Sequence, residues 1–122
     1  MAKTITLRNE KEYRSINTDK ILYVEVNDYL CSFYMDKDDG SDSREDKKKN
    51  VFVCTKSLKE VALELPDFFV RISRSYLVNA KRFKYISFTK KEIVLNNGET
   101  LKISSRNIKP FIEAIEKISL TS

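Results

Sequence analysis

Apolar residues alternate with polar ones through most of this chain and recur at helical spacing in only two stretches. Residues 4–7 and 13–16 alternate on either side of a charged turn and predict two short strands. Residues 20–26 predict a third, with Ile21, Tyr23 and Glu25 on one face and Leu22, Val24 and Val26 on the other. Asn27-Asp28 is a tight-turn signal, after which residues 29–35 predict the partner strand of a hairpin. Residues 51–55 and 69–73 predict further strands, and residues 75–79 continue extended or turn. Residues 84–88 and 93–95 flank the connection Lys90-Lys91-Glu92. Asn97-Gly98 then predicts a type I′ turn joining residues 93–95 to 100–103.

Helical spacing appears first after Ser57-Leu58-Lys59-Glu60, a capping-box signature. Leu58, Val61, Ala62 and Leu65 form the apolar stripe of a short helix that Pro66 closes. From Arg106 onward Ile108, Phe111, Ile112, Ile115 and Ile118 predict a C-terminal helix, with Pro110 in its first turn. Eight to ten short strands and two helices make a mainly β fold with minor α. Residues 36–50 carry no apolar side chain, with five basic and six acidic groups, and read as a mobile, solvated hairpin loop. The 122 residues fit one domain, 1–122, with no internal repeat or linker.

Composition narrows the function. No apolar run approaches the ~20 residues of a membrane span and no leader opens the chain, so a cytoplasmic location is expected. There is no histidine, and the acidic residues crowd into 36–50, where no preorganised geometry can be held. No glycine-rich phosphate cradle is present. The expectation is a protein that is not an enzyme, with no cofactor and no small-molecule substrate. The two cysteines, Cys31 and Cys54, sit in apolar strand-like runs and read as buried, reduced thiols. A disulfide between them depends on whether the strands meet. Two cysteines without histidine fall short of a structural zinc site.

Charge adds a direction. The chain carries a net +5, but residues 69–110 hold ten basic residues against two acidic ones, a local +8 that leaves the remainder at −3. A concentrated basic surface fits a nucleic acid; the alternative is a β-rich protein-interaction module whose basic face meets an acidic partner. An RNA-binding reading is weaker, because the aromatics do not cluster as a stacking platform. Within the basic segment, Arg71, Ser73, Arg74 and Ser75 leave one strand, and Arg106, Asn107 and Lys109 follow another. Asn27, Asp28 and Tyr29 form a turn between two strands. Loops on a β scaffold are a usual place for recognition residues, and a guanidinium offers a planar fork for phosphates and guanine edges. Arg71 has a second reading, its stem packing along the strand toward the core face.

From about residue 18 to 111 the chain resembles the LytTR-type DNA-binding domains of bacterial transcription regulators. The resemblance rests on Asp19-Lys-Ile-Leu-Tyr-Val-Glu25, Tyr29, the helix at 57–65, Phe69-Val-Arg-Ile-Ser-Arg-Ser-Tyr-Leu-Val-Asn79, the Asn97-Gly98 hairpin and Ile103-Ser-Ser-Arg-Asn107. It implies an elongated stack of small antiparallel sheets whose loops, not a recognition helix, enter DNA grooves. The positions it implicates are Asn27–Tyr29, Ser73–Ser75, and Arg106 with Asn107. Ser73 stands where the family commonly has His, and Ser105 where a further Arg is frequent, which implies a distinct site preference. The implied partners are double-stranded DNA with neighbouring repeats, a second copy of the chain on that DNA, and a membrane-bound inhibitory protein for stand-alone members. A receiver domain, often fused to such modules, does not fit in this length, so a stand-alone regulator or an excised domain is expected.

Overall fold

The structure, a computed structural model, describes residues 3–36 and 50–121. The charged segment expected to form a mobile loop therefore lies, but for its two ends, outside the described residues. Ten strands and two α-helices are described, all strand pairs being antiparallel. Strands β1 (Thr4–Arg8) and β2 (Tyr13–Asn17) form a hairpin. A 3₁₀ turn, Thr18–Lys20, leads into β3 (Ile21–Asn27), β4 (Leu30–Met35) and β5 (Asn50–Thr55). Helix α1 (Leu58–Glu64) precedes β6 (Phe69–Arg71) and β7 (Tyr76–Asn79). A second 3₁₀ turn, Ala80–Arg82, leads to β8 (Phe83–Ser87), β9 (Glu92–Leu95), β10 (Thr100–Lys102) and α2 (Ser105–Thr121).

The middle layer is a five-stranded sheet in the order β5-β4-β3-β7-β6. One face packs Val24, Val26, Phe33, Phe52 and Leu77 against the β1–β2 hairpin (Ile5, Leu7, Ile16) and α1 (Val61, Leu65). The opposite face packs Tyr23 and Val78 against the three-stranded sheet β10-β9-β8 (Ile93, Leu95, Leu101) and α2 (Phe111). The result is the stack of small sheets that the family resemblance implies.

Several local expectations are corrected. Strict alternation along β3 fails because a bulge sits between Ile21 and Tyr23. Ile21 thus joins Val24 and Val26 in the first core, while Leu22 and Tyr23 both serve the second. Lys20 belongs to the 3₁₀ turn and not to the strand. Asn97-Gly98 does form a hairpin, but not through a type I′ turn, which needs positive φ at both central residues. Only Gly98 is left-handed there (φ +93°), Gly98 N–H donates to Leu95 O at 2.9 Å, and Leu95 N–H donates to Glu99 O at 2.8 Å. This is a three-residue loop closed by a left-handed glycine.

The capping box of α1 is present: Ser57 Oγ accepts from Glu60 N–H at 3.2 Å, and Glu60 Oε1 accepts from Ser57 N–H at 3.0 Å. Of its stripe, Val61 and Leu65 are buried and Leu58 half-buried, whereas Ala62 is exposed. In α2, Pro110 falls in the second turn rather than the first. It lacks the N–H that would reach the Arg106 carbonyl, a defect costing ~3 kcal/mol in a free helix. The helix continues because Phe111, fully buried and edge-on to Phe83 at 5.7 Å, anchors an inner face with Ile108, Ala114, Ile115 and Ile118.

Cys31 and Cys54 stand directly opposite each other in the β4–β5 ladder, both buried and both free thiols. Cys31 Sγ donates to Lys56 O at 2.9 Å. Burial pushes the Cys31 thiol up to about 11 and raises that of Cys54. The Lys56 ammonium pulls both the other way, and burial wins.

Candidate nucleic-acid interface

Three connections meet at one edge of the stack, and backbone hydrogen bonds tie them together. The first is the turn between β3 and β4, where Asn27 pairs with Leu30 across the two residues Asp28 and Tyr29. Asp28 adopts a left-handed backbone (φ 57°), which a short polar side chain tolerates. Tyr29 is largely exposed, and its carbonyl accepts from Lys56 N–H at 3.0 Å, which fixes the turn to the end of β5.

The second is the loop of residues 72–75 between β6 and β7. Ile72, fully buried, closes its base by donating its N–H to Tyr76 O at 3.0 Å. Ser73 shapes the interior: its hydroxyl accepts from Ser75 N–H at 3.3 Å and its carbonyl accepts from Arg71 Nε at 3.0 Å. Val26 N–H donates to Ser75 O at 2.8 Å and so joins this loop to the first turn. Arg74 stands exposed at the tip, with no side-chain hydrogen bond or ion pair to the described residues. Val26, Asn27, Asp28, Leu58, Arg74 and Ser75 line one shallow groove of about 420 Å³.

The third is the junction between β10 and α2. Ser104 N–H donates to Ile72 O at 2.9 Å, which sets the first turn of α2 beside the Arg74 loop. Asn107 N–H closes onto Ser104 O at 2.9 Å, and Arg106 is exposed without a side-chain partner among the described residues.

By the description of its model, the family matching residues 11–116 is the LytTr DNA-binding domain. The chain belongs to the LytTR family. No curated protein matches it. Among solved structures, the LytTr DNA-binding domain of a Bacillus cereus protein described as a methyl-accepting/DNA response regulator superposes with a TM-score of 0.69 at 22% identity. The alignment covers 92% of this chain and 95% of that one. At that identity the likeness concerns the fold.

The LytTR domain thus draws together Asn27, Asp28, Tyr29, Arg74, Ser75, Arg106 and Asn107. Ser73 is engaged inside its own loop. Arg71 is exposed and so does not face the core; its guanidinium stiffens the loop, and its stem borders a separate depression with Pro110 and Glu113 on α2. Lys109 lies farther along α2, beside Ile112 and Glu116. Among the described residues no cluster of three metal-ligating side chains occurs, and no helix is long and apolar enough to cross a membrane.

Two features escaped the sequence reading. One is a tyrosine cluster at the seam between the middle and three-stranded sheets. Tyr23 stacks on Tyr34 at 4.4 Å and meets Tyr76 edge-on at 5.7 Å. Tyr23 Oη donates to Glu99 at 3.0 Å, while Tyr34 and Tyr76 donate to the two oxygens of Glu25 at 3.2 and 3.4 Å. Burial, reinforced by Glu99, pushes the Tyr23 hydroxyl well above the usual phenol range, so it stays a donor. Through Tyr23 and Glu99 this cluster ties the middle sheet to the β9–β10 hairpin. The other feature is the turn of residues 88–91, which hydrogen-bonds to the same edge.

Proposed function

We propose that this LytTR domain is a sequence-specific regulator that reads double-stranded DNA through the loops of this edge, with two copies on neighbouring repeats. The observation that carries the reading is the pair of exposed guanidiniums, Arg74 and Arg106, which have no side-chain partner among the described residues and are held on connections that share the Ile72 anchor. Arginine forks suit guanine O6 and N7 in the major groove, and the polar ends of Asn27 and Asn107 can reach base or phosphate atoms beside them. The local +8 of residues 69–110 supplies sequence-independent attraction, which counterion release makes salt-sensitive.

The test begins with duplexes selected from a random library, compared with single strands and RNA across a salt series. Arg74→Ala and Arg106→Ala should each weaken cognate binding by about 1–3 kcal/mol and relax preference at one base pair if the arginine forks onto guanine. A pure phosphate contact would instead weaken all sequences alike and flatten the salt slope by about one unit. Two protomers should bind per repeat pair. Cognate affinity equal to wild type in both folded variants removes the proposed reading surface. Binding to an acidic protein, with no duplex binding at any salt concentration, would favour a protein-interaction module.

A further inference from the structure

We infer that the turn of residues 88–91 is a fourth element of the DNA interface, in which Lys90 and Lys91 grip the phosphate backbone outside the bases read by the arginine loops. The inference rests on the proposed DNA reading and extends its footprint. Sequence spacing gives no hint of it, since the turn lies between two strands of the outer sheet, well separated along the chain from both Arg74 and Arg106.

The placement follows from hydrogen bonds. Ile103 N–H donates to Lys91 O at 3.0 Å, and the next residue, Ser104, donates to Ile72 O at 2.9 Å. The chain segment that delivers Arg106 is therefore clamped between the 88–91 turn on one side and the Arg74 loop on the other. Hydrogen-bonded neighbours sit ~5 Å apart and successive Cα atoms ~3.8 Å, so the path from Lys91 through Ile103, Ser104, Ile72, Ser75 and Val26 to Asn27 measures roughly 34 Å at most. At ~3.4 Å per base pair this bounds the edge at about one helical turn of duplex.

The turn is built to hold its lysines outward. Ser87 Oγ accepts from Lys90 N–H at 3.2 Å and lies 3.4 Å from Thr89 Oγ1. Lys91 occupies the left-handed region (φ 54°), where a residue with a Cβ pays ~1 kcal/mol or more relative to glycine. Strain of that kind gathers at functional sites. Both lysines are exposed and have no ion-pair partner among the described residues, whereas nearby Lys102 is matched by Glu92 at 3.2 Å. Phe88 stands beside them with 61% of its surface exposed, an apolar face suited to the deoxyribose rings between phosphates.

Fluorescence anisotropy with cognate and scrambled duplexes tests the assignment in the full chain. The variant is Lys90→Gln with Lys91→Gly; glycine removes the charge while accepting the left-handed backbone. Its log–log salt slope should flatten by about two units, because each lost phosphate contact releases roughly 0.9 fewer counterions. The cognate-to-scrambled ratio should stay unchanged, and hydroxyl-radical protection should disappear at one flank of the site. Lys90→Arg with Lys91→Arg should restore the slope. Lys3→Gln, just before β1, where Lys3 O accepts from Thr18 N–H of the turn that leads into β3, serves as a charge control outside the edge. If Arg74→Ala weakens cognate binding while the lysine variant keeps the wild-type slope and footprint, the fourth contact is wrong and the arginine reading stands. A changed cognate-to-scrambled ratio with an unchanged slope also overturns the backbone assignment. If wild type shows no duplex binding, both readings fall together.

Discussion

Asn79 is a fully buried polar side chain that ties two parts of the scaffold together, and replacing it tests the fold independently of DNA. It is fully buried at the end of β7. Its Nδ2 donates to Ile21 O at 2.9 Å, and its Oδ1 accepts from Lys81 N–H at 2.9 Å. One side chain thus joins the start of β3 to the turn that launches β8. Asn79→Ala strands the Ile21 carbonyl in the core, at about 1–3 kcal/mol for a buried group without its partner. The Lys81 N–H lies nearer solvent and adds a smaller cost, and the lost amide leaves a small void. The expected total is about 2–4 kcal/mol. For a chain of this length that corresponds to a fall in Tm of very roughly 8–15 °C. Urea unfolding followed by far-UV circular dichroism measures it as a drop in midpoint at unchanged slope. Asn79→Asp keeps the acceptor toward Lys81 but places a carboxylate against the Ile21 carbonyl, so it should be at least as damaging as alanine. A loss below ~1 kcal/mol for Asn79→Ala, or an aspartate milder than alanine, would refute the reasoning. DNA affinity, corrected for the folded fraction, should not move, since this end of β7 is opposite the Arg74 loop.

Gly98→Ala should cost ~1 kcal/mol purely through its φ of +93°, because a Cβ there meets nothing within 4 Å; Gly98→Asn should cost less, and equal midpoints for all three in urea would contradict this. The folded Cys31 and Cys54 should alkylate far more slowly near pH 8 than the same thiols in urea, as followed by mass spectrometry in reducing buffer. Because burial raises both thiols in the folded state, their contribution to stability is intact below about pH 9 and is lost as pH climbs toward and through the Cys31 value of about 11. Cys31→Ala should therefore show a shallower alkaline loss of urea midpoint than wild type, and parallel curves would count against a titrating thiol.

Strand and helix identities were legible because their periods are local. The bulge after Ile21 was not: it arises from pairing Ile21 with Met35 and Tyr23 with Tyr34, a register that β4 imposes from outside. The Asn97-Gly98 dipeptide announced a hairpin but not its length, which depends on Leu95 pairing with Glu99. Pro110 read as a first-turn residue because sequence places the helix start only loosely, and the buried Phe111 beside it keeps the second turn intact. Arg74 and Arg106 were visible as strand exits, and the family resemblance gathered them. Lys90 and Lys91 were legible only as a charged connection between two strands, because the bond from Ile103 N–H to Lys91 O that brings their turn to the start of α2 is long-range. Glu25, at a strand position, could not be recognised as the acceptor of two tyrosines 9 and 51 residues away.

The bonds from Val26 N–H to Ser75 O, from Ser104 N–H to Ile72 O and from Ile103 N–H to Lys91 O involve main-chain atoms alone. The ties between the loops therefore do not pass through the side chains at the loop tips. Residues at the tips, such as Asn27, Arg74 and Arg106, can be exchanged while the pitch of the scaffold stays fixed. On the proposed DNA reading, such a scaffold lets site preference change one substitution at a time without loss of the fold. The same separation recommends it as a frame for laboratory reprogramming, in which tip residues are randomised and Ile72, Ser73 and Asn79 are left untouched.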